Sequence, residues 1–259
     1  MELNNRIAVV TGGGRALGRA IALGLANEGA DIGLFGPVKA EVEDTAACIR
    51  SLNQRVVASV ADVSREDQVV AFVKRTELEL GPIDILVNNA GIIGPTAPVE
   101  NVSRSDWDDV IGVNLTGPFL CAKAVVPSMV QRRGGKIINI SSIVGKKGYA
   151  LRAPYCVSKW GVIGLTLTLA QELGPHNIQV NAICPGPVDG ERMQTLIQRR
   201  AEQQARTVDE VKREYLASTL LGRMVSEDDV AAMVTYLASP RADNITGQAI
   251  DVSAGYGLT

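Results

Sequence analysis

A chain of 259 residues with 46% hydrophobic content can bury a sizeable core, and α/β folds of this length are often one domain. Its 26 basic and 28 acidic residues leave a net charge of −2, which excludes a global attraction to nucleic acid or to an anionic membrane. Cys48, Cys121, Cys156 and Cys184 are widely spaced and make no C-x-x-C pair, so they read as buried small hydrophobes, and no metal-ligand cluster stands out. The N-terminus runs straight into a strand without a signal peptide, and no apolar run reads as a membrane span. A soluble, cytoplasmic protein is the expectation.

Arg6–Val10 is a short β-branched run that reads as a buried strand, and it ends in Thr11-Gly12-Gly13-Gly14-Arg15-Ala16-Leu17-Gly18. Leu17, Ile21, Gly24 and Leu25 then follow a helical period. Strand, glycine turn and helix in succession are the setting of a dinucleotide site. Backbone N–H groups and the positive end of the helix face the pyrophosphate, and glycine lets the main chain approach it. An empty βα turn is the competing reading, but it would not need three consecutive glycines.

Asp31–Phe35 reads as a second strand, residues 40–52 as a helix, Arg55–Val60 as a third strand and Ser64–Leu80 as a helix opened by the capping pattern Ser64-x-x-Asp67. Asp84–Val87 is a fourth strand, followed at once by Asn88-Asn89-Ala90-Gly91. A long helical region, 103–131, carries Trp107, Val110, Ile111 and Leu115 inward and is expected to bend at Pro118. Lys136–Ile140 is strand five, 153–173 a helix, Ile178–Ile183 strand six and Gln248–Val252 strand seven. Strands separated by helices throughout predict a doubly wound parallel sheet of about seven strands, and the absence of a linker or repeat predicts a single domain over residues 1–259.

The helix at 153–173 carries Tyr155 and Lys159, four residues apart. That spacing sets the phenol and the ammonium on one face, about 6 Å apart along the axis. An ammonium beside a phenol favours the phenolate and brings proton transfer within reach of neutral pH. Taken alone, the pair also fits a packed aromatic beside a solvated charge.

The residues resemble the short-chain dehydrogenase/reductase family over essentially the whole chain. The resemblance rests on the loop from Thr11 to Gly18, Asp62-Val63, Asn88 to Gly91, Asn114, Ser142 thirteen residues before Tyr155, Lys159, and Pro185-Gly186, in the family's order. It implies a Rossmann fold and a nicotinamide-dependent interconversion of a secondary alcohol and a ketone. Tyr155 would be the acid/base and Ser142 the hydrogen-bond donor to the substrate oxygen. Lys159 would tune the tyrosine and bind the nicotinamide ribose, and Asn114 would hold a water in a relay through Lys159. The implied cofactor contacts are the loop residues Gly12, Gly14, Arg15, Ala16, Leu17 and Gly18, then Asp62 and Val63 for adenine. Asn89, Ala90 and Gly91 would supply a backbone wall, and Pro185, Gly186 and Val188 a segment over the nicotinamide, beside Tyr155 and Lys159. Helix or turn capping is the alternative role for Asn114 and Asn89. A homotetramer, or failing that a homodimer, is implied as well. The alternative to an enzyme is a non-catalytic dinucleotide sensor on the same fold, which would typically have lost the tyrosine or the lysine.

Two positions depart from the family pattern. Ala16 replaces the middle glycine of the loop, and Gly190 stands where a threonine is common. The end of the second strand, where an acid would bind the ribose 2′-hydroxyl, is Gly36, and Arg15 could reach a 2′-phosphate. The balance tilts to NADP over NAD, although Pro37 occupies a position often basic in NADP enzymes.

Residues 187–222 carry two helical patterns, near 191–206 and 208–218, and the resemblance implies that they form a mobile lid over the substrate. Arg192, Arg199, Arg200 and Arg206 make its first helix basic, and Arg152 and Arg192 are candidate contacts for an anionic substrate group. The competing reading, preferred for most of these arginines, pairs them with Glu191, Glu202 and Glu210 on a solvated face. A 3-oxoacyl thioester and a small polar or anionic hydroxy or keto compound both remain open as substrates. His176 reads as a surface loop residue, and Ser226-x-x-Asp229 as the cap of a final helix.

Overall fold

The computed structural model describes residues 1–257, without the side chains of Arg192 and Gln203. The first strand, β1 (Ile7–Thr11), is buried along its whole length, as a β-branched run covered on both faces should be. After it come α1 (Ala16–Asn27), β2 (Asp31–Gly36), α2 (Lys39–Ser51), β3 (Val56–Val60), α3 (Glu66–Glu79) and β4 (Ile85–Asn88). The chain continues through α4 (Arg104–Ile111), α5 (Gly117–Arg132), β5 (Gly135–Ile140), α6 (Ala153–Leu173) and β6 (Ile178–Pro185). It closes with α7 (Glu191–Gln203) and α8 (Val208–Ala217), then α9 (Glu227–Ala238) and β7 (Ala249–Val252).

Among the described residues the strands form one parallel sheet in the order β3-β2-β1-β4-β5-β6-β7. Alternate residues divide between its faces. Ala8, Val10, Ile85 and Val87 pack with Ile21, Leu25, Val230 and Val234 of α1 and α9. Ile7, Val9, Leu86 and Ile137 pack with Phe72 of α3, Val125 and Met129 of α5 and Leu173 of α6. The strand order reverses between β1 and β4, which opens a crevice at the carboxyl ends of these strands.

Several elements differ from the sequence expectation for identifiable reasons. Ser64 does not cap α3: its hydroxyl donates to Asp62 Oδ1 at 2.8 Å, and the helix starts at Glu66 with Arg65 as its N-cap residue. The short-range side-chain bond won over the cap. The long helix is interrupted ahead of Pro118, by a π-helical turn at Gly112–Thr116. Pro118 has no N–H to return to the carbonyl of Asn114, four residues earlier, so the α-helical ladder cannot run through this point. Of the four residues expected to point inward there, Val110 is fully buried and Trp107, Ile111 and Leu115 are half-buried.

The continuous run Arg104–Arg132 is, by length and composition, apolar enough to cross a membrane, contrary to the expectation that no such run exists. Leu120, Cys121, Ala122, Val125 and Met129 are buried in the protein, which makes it a core helix.

The cap of α9 is as expected. Ser226 Oγ accepts from the Asp229 N–H at 3.0 Å, and the Asp229 carboxylate accepts from the Ser226 N–H at 2.8 Å. These bonds from Ser226 hold the Asp229 carboxyl below its usual range. A carboxyl held low stabilises the fold above its unfolded value near ~4 and ceases to do so as pH falls through its folded value. Ser226→Ala is therefore expected to cost about 1 kcal/mol at neutral pH. In denaturant titrations from pH 7 to pH 3 the difference from the parent protein should shrink as Asp229 protonates.

Candidate active site

The glycine loop joins β1 to α1 and is shaped by close backbone approaches. Gly12 has φ +63°, and a Cβ there would stand 3.0 Å from the Ala90 Cα. A Cβ on Gly18 would fall 2.0 Å from the Gly12 carbonyl oxygen, so the first turn of α1 rests directly on the loop. Thr45 Oγ1 donates to the Gly14 carbonyl at 2.8 Å and fixes the other limb. Arg15 is exposed and lies 3.4 Å from Glu41. Ala16 adopts φ +47°, in the left-handed region that glycine tolerates and alanine does not favour.

Across the crevice, the segment after β4 is fastened to β1. Thr11 Oγ1 accepts from the N–H groups of Asn89 and Ala90 at 3.0 and 2.9 Å. The Asn89 carboxamide donates to the Thr11 and Gly12 carbonyls at 3.0 and 3.3 Å. Thr11 is thus a site-forming residue that the sequence reading left inside a motif, without a role. Asp62 is exposed after β3 and accepts from the Ser64 N–H at 2.9 Å, while Val63 is buried against Gly117. Over β6, the Gly186 N–H donates to the Val252 carbonyl at 3.0 Å, and a Cβ on Gly186 would meet Ser253 at 2.8 Å. Val188 forms a parallel bridge with Val225 ahead of α7.

Lys159 is 4% exposed, and its ammonium donates to the Ile140 carbonyl at the end of β5, at 2.8 Å. The same Nζ lies 5.8 Å from the centre of the Tyr155 ring, one helical turn away. Asn114 is fully buried on the π-turn; its Oδ1 accepts from the Ile92 N–H at 2.8 Å and its Nδ2 donates to the Ile92 carbonyl at 2.9 Å. Gly91 lies where both residues converge: a Cβ on it would stand 3.3 Å from Asn114 Oδ1 and 3.6 Å from Lys159 Nζ. Ser142 follows β5 and accepts weakly from the Val144 N–H at 3.4 Å.

Arg152 is buried in the turn before α6, with Nη1 donating to Thr96 Oγ1 at 3.1 Å. Burial raises the thiol of Cys156, next to Tyr155, which keeps it neutral. Among the described residues the four cysteines are free, three of them buried.

The segment 187–222 has a small core of its own, formed by Ile197, Ala201, Val211 and Tyr215, with Met193, Met224 and Tyr256 against it. Its arginines do not pair as expected. Arg200 and Arg206 share the two carboxylate oxygens of Glu214, a residue on the neighbouring helix α8. Glu210 instead completes a capping box with Thr207. The Arg192 side chain lies outside the described residues. Gly190 is extended at the N-terminus of α7, where a Cβ would come within 2.9 Å of Glu227 Oε1.

Comparison with known proteins defines the class. The family description "short chain dehydrogenase" matches residues 6–202. The 3-oxoacyl-[acyl-carrier-protein] reductase FabG of Staphylococcus epidermidis is 38% identical over 97% of this chain and 98% of its own. The structure of NAD+-bound xylitol dehydrogenase superposes with a TM-score of 0.95 at 32% identity, over 98% of this chain and all of the other. An actinorhodin polyketide ketoreductase variant with NADPH gives 0.93 at 33% identity, covering 98% of each chain. The chain belongs to the short-chain dehydrogenase/reductase family. It is an NAD(P)-dependent oxidoreductase acting on CH–OH and C=O groups. The turn fits such a cofactor, because Gly12 and Gly18 let the loop close on Ala90 and on the first turn of α1, which brings a helix N-terminus to where a pyrophosphate would rest.

The strain at Ala16 can be measured. The left-handed conformation costs alanine roughly 1–2 kcal/mol, while glycine gives back about 0.4–1 kcal/mol through a freer unfolded chain. Ala16→Gly should therefore raise the unfolding free energy by about 0.5 kcal/mol. The denaturation midpoint is the measurement, and a lower midpoint would contradict the assignment.

Proposed function

We propose that the chain interconverts a secondary alcohol and a ketone with Tyr155 as the acid/base. The observation that carries this reading is the buried Lys159 ammonium, held by the Ile140 carbonyl one turn from the Tyr155 ring. With that charge fixed beside it, the Tyr155 oxygen takes a proton from an alcohol and returns it to a carbonyl oxygen. Ser142 donates a hydrogen bond to that substrate oxygen, which is stronger to the oxygen bearing developing charge. Lys159 and Asn114 organise the wall beside it. A bound nicotinamide supplies the hydride acceptor or donor. Residues 1–259 act as one dinucleotide-binding domain, with residues 187–222 as the lid over the substrate; the packed lid core supports this. A cytoplasmic location goes with free cysteines. Homotetrameric assembly is supported by the half-exposed apolar side chains Phe119, Trp160 and Leu167.

The substrate class is a small polar or anionic hydroxy or keto compound. The solved xylitol dehydrogenase supports this choice, as does Arg152 three residues before Tyr155. Reduction of a 3-oxoacyl thioester is the second reading, favoured by the 38% identity to the acyl-carrier-protein reductase. A turnover screen of polyols, hydroxy acids and 3-oxoacyl thioesters separates the two. Tyr155→Phe is expected to lower turnover about a thousandfold while dinucleotide affinity stays within about threefold. Retained turnover would remove Tyr155 from the chemistry.

NADP is the proposed cofactor because β2 ends in Gly36 with no acid, while Arg15 stands on the adjoining loop. The Arg15–Glu41 pair is exposed and worth little, so Arg15 remains available to a 2′-phosphate. A Cβ on Gly36 would meet only the Val42 Cγ2 at 3.6 Å and the Gly12 Cα at 3.9 Å, so a side chain fits. Gly36→Asp should weaken NADPH binding about tenfold or more, through like-charge repulsion, and favour NADH. Thermal-shift titrations with the four dinucleotides read this out, and an unchanged preference would overturn the assignment.

A further inference from the structure

Ser158 precedes Lys159 in sequence, is fully buried, and has no part in the chemistry proposed above. Its hydroxyl nevertheless stands between two site residues. It donates to the Tyr155 carbonyl at 2.7 Å and accepts from Asn114 Nδ2 at 3.1 Å. The Asn114 carboxamide is fully committed: its oxygen takes the Ile92 N–H, one amide hydrogen goes to the Ile92 carbonyl and the other to Ser158. A carboxamide with three directional bonds has one orientation, since a flip would set like groups against each other at Ile92.

Ile92 follows directly on the Asn89–Gly91 wall, and Gly91 is the residue on which Asn114 Oδ1 and Lys159 Nζ converge. Through Asn114, the Ser158 hydroxyl therefore connects that wall to the helical turn bearing Tyr155 and Lys159. An alanine would leave one N–H of a buried carboxamide without an acceptor, a cost that the Asn114 side chain could relieve only by moving.

We propose that Ser158 is a positioning residue, which fixes the Asn114 carboxamide and through it the distance between the post-β4 wall and the Tyr155–Lys159 turn. Its effect on turnover rests on the acid/base reading above; its effect on the wall does not.

The test compares Ser158→Ala with Ser158→Thr, which keeps the hydroxyl, and has two readouts. In the dinucleotide-free protein, hydrogen exchange at the Ile92 amide should be about tenfold faster or more in Ser158→Ala and return towards the parent rate in Ser158→Thr. In the enzyme, Ser158→Ala should lower kcat about tenfold to a hundredfold and shift the pH profile of kcat, because small displacements of reacting groups cost this much. Dinucleotide affinity should stay within about threefold, since the glycine cradle is untouched. Unchanged Ile92 exchange in Ser158→Ala overturns the proposal. So does an exchange increase that Ser158→Thr fails to reduce, because the hydroxyl would then not be the cause. Faster exchange with kcat and its pH profile unaltered keeps the wall connection but refutes its bearing on catalysis. Whether Tyr155 is the acid/base is decided separately by Tyr155→Phe.

Discussion

The bond from the Lys159 ammonium to the Ile140 carbonyl joins the last residue of β5 to the face of α6. An ammonium that is 4% exposed has given up most of its water, so its position is set by the protein dipoles around it. A strand end is a rigid place from which to supply one of them, because Ile140 is hydrogen-bonded in register with β6. The charge is thereby held at a fixed place relative to the sheet. Ser141 adds a second tie, its hydroxyl donating to the Lys159 carbonyl at 2.9 Å. The N-terminal turns of α6, with Tyr155, are located by these two bonds more than by the helix's own amphipathicity.

Around that anchor the molecule has a sheet with two covered faces and, beside it, a smaller helical segment. The two sheet faces are covered by extensive aliphatic layers, and the crevice between β1 and β4 is closed at its base by Thr11 and Asn89. Helices α7 and α8 instead pack on a small core of their own. Burial raises the phenol of Tyr215, and its interaction with Tyr149 raises it further, which links α8 to the loop between Ser142 and Tyr155. The Arg200 guanidinium lies 5.4 Å from the centre of the Tyr215 ring and pairs with Glu214.

Most of the scaffold was legible because it depends on short-range patterns. The helix at Ala153–Leu173 was read to the residue, and the strands shifted by a residue or two at their ends. The misreadings share a cause. At Ser64 the capping pattern was present, but the Asp62 carboxylate two residues away offered a nearer partner. At Pro118 a bend was expected, whereas the missing N–H was absorbed one turn earlier in the π-turn that carries Asn114. Arg200 and Arg206 were matched to acids close in sequence, yet the packing of α7 on α8 brought Glu214 to both.

The sequence by itself determined the alternation of strands and helices, the glycines on which the loop depends, and the one-turn spacing of Tyr155 and Lys159. These follow from φ/ψ preference and from the periods of 2 and 3.6 residues, both local properties of the chain. Only the tertiary structure decided that Thr11 takes two N–H groups from the β4 end, that Ile140 receives the Lys159 ammonium, and that Asn114 donates to Ser158, 44 residues away. Each of these contacts joins segments that become neighbours through the order of the strands, and no periodicity within a segment encodes which segment will lie beside it.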